Sequence, residues 1–230
     1  MIIGNGMVAK RFESYKTNDQ FLIFASGVSN SKNINPAAYE RELILLQKAI
    51  KENPEKILVY FSTCSIYDPG EENSKYVLHK KQIEHLIQKG QKQFYIFRVS
   101  NLVGRSGNHN TILNFYVYHI LNGINFDLWT NATRNLIDID DMYKIADDIL
   151  KKGVVQNQVI NIANTENYTT QEIITAIENL WNTKANYIPI LKGNPLTIDL
   201  SAIRPIMKEL GIRFGKNYLT SSLRKYYDLS

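Results

Sequence analysis

Cysteine is almost absent from this sequence, since Cys64 is the single cysteine among 230 residues. One cysteine forms no disulfide within the chain, and such scarcity is typical of proteins in a reducing compartment. A cysteine-based metal site is excluded as well, because it needs several thiolate ligands. We therefore expect a cytoplasmic protein without a metal site.

Long apolar runs are also missing. No stretch approaches the roughly 20 apolar residues that a membrane-spanning helix needs, and the N-terminal sequence lacks the basic and then apolar pattern of a signal peptide. The sequence contains no internal repeat and no low-complexity segment. These absences predict a globular protein without a membrane partner.

Positive charge is present but not concentrated. The formal net charge is +5 and the isoelectric point is near 9.1, yet the lysines are scattered and no dense basic run with interleaved aromatic residues occurs. We therefore expect no nucleic-acid partner, but a surface that tolerates anionic phosphate groups.

The order of the apolar segments predicts an α/β fold. Hydrophobic residues make up 44% and charged residues 21% of the chain, as in folded proteins. Continuous apolar runs, typical of strands buried on both faces, alternate with segments of helical character. The predicted strands are 1–3, 21–25, 57–62 and 94–99, and the predicted helices between them are 7–15, 36–51 and 74–89. This alternation predicts a mostly parallel sheet flanked by helices.

The pattern loosens after Gly104. Helices at 111–121 and 141–151 are predicted to bracket a polar loop that holds Trp129 and Arg134. A strand at 159–162 and helices at 170–181, 201–210 and 220–227 complete the chain. We predict a core at residues 1–104 and a small C-terminal lobe at residues 105–230, interleaved with the last core strand and helix.

A glycine turn follows the first strand. The sequence Gly4-Asn5-Gly6-Met7-Val8-Ala9 lies between a strand and a helix, where glycines let the backbone approach a pyrophosphate group at the helix N-terminus. Glycines at a tight turn are equally compatible with a purely structural role.

Tyr76 and Lys80 are four residues apart and share one face of a predicted helix. The positive charge of a lysine favours the ionised form of a neighbouring tyrosine. Such a tyrosine exchanges a proton with a carbonyl or hydroxyl oxygen while a hydride moves. Thr63, just past the preceding strand, is placed to supply a second hydroxyl to the same oxygen. Taken alone, the pair is more typical of a solvated helix face, because the chain has 14 tyrosines.

The order of the motifs is more specific than any one of them. After the glycine turn come Ala25-Ser26-Gly27, Phe61-Ser62-Thr63-Cys64-Ser65-Ile66-Tyr67, Tyr76 with Lys80, Arg98-Val99-Ser100-Asn101-Leu102-Val103-Gly104, Arg134-Asn135-Leu136-Ile137-Asp138-Ile139-Asp140-Asp141 and Val159-Ile160-Asn161-Ile162-Ala163. In this order the sequence resembles the extended short-chain dehydrogenases/reductases, in their sugar-nucleotide epimerase/dehydratase branch, over nearly the whole chain.

The resemblance implies NAD or NADP as the cofactor and a nucleotide sugar as the substrate. It implies that Thr63, Tyr76 and Lys80 are catalytic. The implied cofactor contacts are Gly4, Asn5, Gly6, Met7, Val8, Ala25, Ser26, Gly27 and Ser62. The implied substrate contacts are Cys64, Ser65, Asn101 and Arg134. A loop cap at Asn101 and a surface ion pair at Arg134 remain alternatives, although an arginine fork suits a phosphate well.

Cys64 and Ser65 stand where dehydratases of this family usually carry an acidic pair. Elimination of water needs an acid and a base near the leaving hydroxyl group, and neither residue is a good acid. We therefore expect no dehydratase activity, and Cys64 is more typical of a packed, inert thiol. His109, in the loop after Gly104, is a further candidate for a substrate contact.

The sequence is shorter than the family pattern, with about half the usual distance between the glycine turn and Tyr76. The strand that ends at Ala25 resembles the fourth strand of the family, so we infer that the second and third strands are absent. No acidic residue near residues 25–30 is available for the adenosine ribose, and NAD is not distinguished from NADP. With these strands absent, a first helix on its usual face would make the crossover from the first strand left-handed, against a strong rule. Three explanations remain: the first helix has changed face, the crossover is the exception to the rule, or the strand matching is wrong.

The leading hypothesis is NAD(P)-dependent reduction of a 4-keto sugar nucleotide. An epimerase must retain its cofactor through a two-way hydride transfer, whereas a reductase exchanges it at each turnover, and a missing adenosine-binding half weakens retention. A sugar-nucleotide 4-epimerase is one alternative, and a non-catalytic sugar-nucleotide-binding or partner protein is another. By analogy with relatives that pair through helices matching residues 36–51 and 74–89, we also expect a homodimer.

Overall fold

The chain folds around a parallel sheet with helices on both faces. The computed structural model describes residues 1–105, 108 and 111–227. Its strands are β1 (Ile2–Ile3), β2 (Phe21–Phe24), β3 (Ile57–Thr63), β4 (Phe94–Val99), β5 (Asn101–Val103), β6 (Phe126–Trp129), β7 (Thr133–Asp138), β8 (Gln158–Ile162), β9 (Asn167–Thr169) and β10 (Tyr187–Ile190). Its helices are α1 (Met7–Arg11), α2 (Pro36–Glu52), α3 (Lys75–Gly90), α4 (Ile112–Leu121), α5 (Ile139–Lys152), α6 (Thr170–Trp181), α7 (Arg204–Glu209) and α8 (Tyr218–Tyr227).

Five of these strands form the central sheet. Their order is β1-β2-β3-β4-β8, and every neighbouring pair is parallel. This arrangement confirms the predicted shortened Rossmann-like fold. Between β4 and the last core strand, β8, the chain passes through β5, α4, β6, β7 and α5. The domain boundary predicted at residue 104 stays a prediction.

Local sequence explains where the two long core helices begin. Asn35 caps α2 by accepting a hydrogen bond from the Ala37 N–H, and Pro36 occupies the first helical position. Ser74 caps α3 by accepting from the Val77 N–H. Both helices therefore begin at or within one residue of the predicted positions, and the α3 cap fixes the start of the helix that carries Tyr76.

The two faces of the sheet pack against different helices. Side chains alternate along β2, so that Leu22 and Phe24 contact the cluster that includes Leu46 of α2 and Ile83 of α3. Phe21 and Ile23 point to the other face of the sheet and join the cluster there. That cluster contains residues of α5 and α7 and Phe12, which directly follows α1. The helices α2 and α3 thus cover one face, and α1, α5 and α7 cover the other.

The first crossover has the opposite hand to the next two. Strands β1 to β4 follow one another in one direction across the sheet, but α1 lies on the face opposite to α2 and α3. Contacts with α5 hold it there: Arg11 pairs with Asp140 at 2.5 Å, and the Phe12 and Tyr143 rings meet edge to face at 5.0 Å. Because right-handed crossovers are the strong rule, we assign the left-handed exception to β1–α1–β2.

The predicted polar loop around Trp129 and Arg134 is wrong. Trp129 ends β6 and Arg134 lies in β7. Both strands are short, and they pair with segments distant in sequence, β6 with β10 and β7 with β5 and β9. Local periodicity over four to six residues is a weak signal, which explains the error.

Two other predicted segments are shorter than expected. The helix predicted at 7–15 divides into α1 and a 3-10 helix at Glu13–Tyr15, and the helix predicted at 201–210 is confined to α7. Within the described ranges no helix has the length and apolar character of a membrane span.

Candidate active site

The predicted site segments meet at one edge of the central sheet. Because the five strands are parallel, their carboxyl ends lie at the same edge, where ligands of open α/β sheets bind. Gly4 follows β1, Ala25 follows β2 and Thr63 ends β3. Asn101 lies just after the end of β4, and Ala163 follows β8.

The two glycines of the first turn differ in their surroundings. Gly4 has φ +132°, and a Cβ added there would lie 2.4 Å from the Ala25 carbonyl oxygen. Only glycine allows this conformation and this close approach between the ends of β1 and β2. A Cβ on Gly6 would meet nothing within 4 Å. Gly4 therefore has a structural role, whereas Gly6 leaves open space beside the start of α1.

The sheet ends at β1 on the side of the glycine turn. This strand has two residues, both only half-buried, and it pairs with β2 alone. Asn5 is exposed, and Met7 and Val8 are half-buried. In the part of the chain that the structure describes, no strand lies beyond β1, where a complete Rossmann fold places its second and third strands.

The predicted catalytic residues lie on β3 and on the inward face of α3. Tyr76 is 8% exposed, and its hydroxyl makes no hydrogen bond with any described residue. Thr63 is buried, and its Oγ1 donates to Ser65 Oγ at 3.0 Å and accepts from the Ser65 N–H at 3.0 Å. The Lys80 Nζ atom lies 5.8 Å from the centroid of the Tyr76 ring.

Lys80 is held by a buried carboxylate. Its Nζ atom donates to Glu42 Oε1 at 2.9 Å and to the Tyr60 hydroxyl at 2.9 Å. Its side chain is 3% exposed and that of Glu42 is fully buried. These two bonds use two of the three N–H donors of the ammonium group. A solvated helix face, the alternative interpretation of the Tyr76–Lys80 pair, is therefore wrong.

Glu42, which the sequence analysis missed, pairs in the structure with the predicted site residue Lys80. It occupies the buried stripe of α2, together with Tyr39, Leu46 and Ala49. Burial alone would raise the pKa of the Glu42 carboxyl, but Lys80 and the hydrogen bonds from His79 and other donors lower it to about 2. A charged residue in an apolar helical stripe was the available signal.

The segment after β2 lies directly against this ion pair. A Cβ added to Gly27 would lie 2.7 Å from Lys80 Nζ and 3.0 Å from Glu42 Oε1. The Val28 N–H donates to Glu42 Oε2 at 2.7 Å. Ser26 accepts from Arg41 through its carbonyl oxygen at 3.2 Å. Contacts with side chains of α2 thus hold residues 25–28 in place.

Ser62 and Cys64 point into the protein. The Ser62 hydroxyl donates to Glu84 Oε1 at 2.5 Å, and Glu84 also accepts from Arg98. The structure therefore gives no support to a cofactor contact by the Ser62 side chain. Cys64 is 1% exposed and donates to the Arg98 carbonyl oxygen. Burial raises the pKa of its thiol to about 12, as expected for an inert cysteine.

The other two predicted substrate contacts that bear on the site are Asn101, at the start of β5, and Arg134, in β7. The Asn101 side chain donates to the Asn135 carbonyl oxygen at 2.9 Å, which is the structural role of a cap between β5 and β7. Arg134 lies 3.7 Å from Asp68 Oδ2 and retains 19% side-chain exposure, so the ion pair is present and the side chain remains accessible. Their contacts with substrate stay predictions.

His109, the further candidate for a substrate contact, lies outside the residues that the structure describes. Among the described residues, no group of three His, Cys, Asp or Glu side chains is placed to hold a metal ion.

A family model described as the NAD dependent epimerase/dehydratase family matches residues 23–163, which is more than half of the chain. The chain belongs to this family, which confirms the predicted resemblance, and the family's NAD dependence agrees with the predicted cofactor class. The matched region begins in β2, so the glycine turn lies outside it. No curated protein matches the sequence.

Several solved structures share the fold. RMD from Pseudomonas aeruginosa, complexed with NADPH, superposes with a TM-score of 0.73 at 13% identity, covering 97% of this chain and 96% of that one. UDP-glucose 4-epimerase from Thermus thermophilus, in complex with NAD, gives a TM-score of 0.71 at 13% identity, covering 96% and 82%. dTDP-glucose 4,6-dehydratase from Bacillus anthracis, also with NAD, gives 0.68 at 16% identity, covering 96% and 77%.

Proposed function

We propose that this protein reduces a 4-keto sugar nucleotide with NADH or NADPH. The observation that carries the proposal is the Tyr76 hydroxyl, which is free of hydrogen bonds to described residues and lies on the helix that also carries the buried Lys80 ammonium. The cofactor supplies the hydride. Tyr76 gives its proton to the carbonyl oxygen as the alcohol forms, and Thr63 donates a hydrogen bond to the same oxygen in place of Ser65.

A nicotinamide dinucleotide fits the central part of this edge. The open space at Gly6 suits a pyrophosphate, with the backbone of residues 4–8 around it, and residues 25–27 lie beside the path of the ribose. The third N–H of Lys80 is available to a ribose hydroxyl without breaking the Glu42 pair. Among the described residues no strand lies beyond β1, so nothing there forms a wall for the adenosine end of the cofactor.

The missing wall favours reduction over epimerisation. An epimerase reoxidises and reuses one cofactor molecule, so it depends on contacts that retain the cofactor. A reductase releases the oxidised cofactor after each turnover, and a site open beyond β1 suits such exchange. The absence of an acid at Cys64 and Ser65 also supports the expectation that no dehydration occurs.

The test is an assay of the purified protein with 4-keto sugar nucleotides and NADH or NADPH, following cofactor oxidation. We expect stoichiometric conversion of ketone to alcohol by wild type. Interconversion of 4-epimers without net cofactor consumption would instead identify an epimerase.

A non-catalytic sugar-nucleotide-binding protein is the second candidate. The observation that favours it is the extent to which Glu42 occupies Lys80, combined with the two-residue edge strand. Such a protein would bind a nucleotide sugar but give the same null result in every turnover assay, with wild type and Tyr76→Phe indistinguishable.

We also propose a homodimer formed through α2 and α3. Both helices cover the same face of the sheet, and their outer surfaces expose Ile44 and Leu78, which are 56% and 51% accessible. A shallow groove on α2 is lined by Ala37, Ile44 and Leu45, among others. Light scattering should give the mass of a dimer for wild type and of a monomer for Ile44→Glu.

A further inference from the structure

Glu42 joins three parts of the active site that are distant in sequence. It lies on α2 and is fully buried, yet it contacts the segment after β2, the strand β3 and the helix α3. A buried carboxylate is costly unless charge and hydrogen bonds compensate it. Here the compensation comes from Lys80, which the proposed function uses, and from hydrogen bonds with Val28, Tyr60 and His79.

The two carboxylate oxygens serve different partners. Oε1 accepts from Lys80 Nζ at 2.9 Å and from the Tyr60 hydroxyl at 2.8 Å. Oε2 accepts from the Val28 N–H at 2.7 Å and lies 3.2 Å from His79 Nε2. A glutamine at this position has one acceptor oxygen, so it satisfies only one of these two pairs.

The positive charge of Lys80 is offset where it would act on Tyr76. The titratable groups around Lys80 are Tyr39 and Glu42 on α2, Tyr60 on β3, and Tyr76, His79 and Glu84 on α3, where Glu84 acts on Tyr60. Tyr76 and Glu42 both raise the pKa of Tyr39, after burial as the main cause, so the two groups lie close to the same ring. Glu42 is the carboxylate that pairs with the Lys80 ammonium group, whereas Glu84 pairs with Arg98.

We propose that Glu42 is a positioning residue that fixes the Lys80 ammonium beneath residues 25–28 and offsets its charge at Tyr76, so that Tyr76 is kept as a proton donor. The inference rests on the proposed function. Reduction of a ketone needs a tyrosine that carries its proton, whereas oxidation of an alcohol needs the phenolate as a base.

The experiment follows the ionisation of Tyr76 by NMR, with tyrosine labelled at Cζ and the signal assigned by its loss in Tyr76→Phe. We compare wild type with Glu42→Gln over the pH range in which circular dichroism shows a folded protein. Removal of the carboxylate leaves the positive charge of Lys80 uncompensated, so that charge acts more strongly on its surroundings. We expect Tyr76 to ionise at lower pH in Glu42→Gln than in wild type.

Glu84→Gln is the matched control. Glu84 is also a buried carboxylate of the α3 face, but it pairs with Arg98 and not with Lys80. It should lower the melting temperature and leave the Tyr76 titration in place. An unchanged Tyr76 titration in Glu42→Gln, or an equal shift in both variants, would overturn the proposal.

Two wild-type measurements cover the case in which Glu42→Gln does not fold. The Glu42 carboxyl should titrate well below an ordinary glutamate, and the Lys80 ammonium protons should exchange slowly enough to be observed near neutral pH. A Glu42 that titrates in the ordinary range, or a rapidly exchanging Lys80 ammonium, would contradict the inference. These readouts need no substrate, so they stay distinct from the turnover assay, whose failure would count against the proposed function alone.

Discussion

The proposed catalytic side of the candidate site, formed by β3 and α3, differs from the proposed cofactor side, formed by β1 and α1. On the catalytic side, β3 is a seven-residue strand inside the sheet, and α3 packs its Lys80 and Glu84 into buried ion pairs. On the cofactor side, β1 has two residues at the sheet edge and α1 has five. The groups to which we assign proton transfer are therefore buried and paired, whereas the strand beside the proposed cofactor site is short.

The catalytic side is tested most strongly by Tyr76→Phe. The hydroxyl makes no hydrogen bond with described residues, so its removal should leave the melting temperature unchanged. Turnover should fall at least about 10²-fold, the ordinary contribution of a proton donor. Tyr187→Phe on β10 is the control and should retain activity. Equal turnover in Tyr76→Phe and wild type would remove Tyr76 from the chemistry.

The cofactor side is tested by comparing Gly4→Ala with Gly6→Ala. At Gly4 the added methyl meets the Ala25 backbone at 2.4 Å with φ at +132°, so we expect a loss of about 2 kcal/mol or more in the free energy of unfolding. At Gly6 the added methyl meets nothing within 4 Å, so stability should hold while dinucleotide binding weakens. Urea denaturation and cofactor titration measure the two effects. The reverse ranking of stabilities would contradict the two roles.

Acid should weaken the catalytic side through Glu42. Its pKa is about 2 in the folded protein, below the ordinary value of 4.5, so its stabilising contribution is present above about pH 4.5. That contribution is lost as the pH falls from about 4.5 towards 2, and it is on the order of a few kcal/mol. The free energy of unfolding should therefore fall more between pH 6 and pH 3 in wild type than in Glu42→Gln. Equal losses would show that Glu42 is not the titrating group.

The smallest effect concerns Cys64, which follows Thr63 directly. Burial raises its pKa to about 12, and its side chain is 1% exposed. A thiol reagent at pH 8 should label it only as fast as the protein unfolds, and activity should persist in Cys64→Ala. Rapid labelling of the native protein would mean that the catalytic side is less tightly packed than the structure indicates.

The sequence predicts the central sheet well because its strands are continuous apolar runs. The strand at 94–99 agrees at both ends, and the capped helices at Pro36 and Ser74 begin within one residue of prediction. The sequence analysis did not predict the short strands β6 and β7, because pairing with distant segments, and not local periodicity, stabilises them.

The site itself was only partly predictable. Motif order and the family resemblance selected Thr63, Tyr76 and Lys80 as candidates, and the structure places Thr63 at the end of β3 and the other two on the buried face of α3. The sequence did not reveal Glu42, whose pairing with Lys80 depends on how α2 packs beside α3. Nor did it decide the face of α1, because that is set by contacts of Arg11 with α5, 129 residues away.

The most direct test of a candidate site with a buried catalytic side and a reduced cofactor side is titration of the purified protein with NADH and NADPH, by fluorescence and calorimetry. We predict saturable binding of at least one of them, removal of that cofactor by gel filtration, and loss of binding when Gly6 is replaced by tryptophan. No binding at millimolar concentration to folded protein, or NAD that stays bound through purification, would contradict this picture.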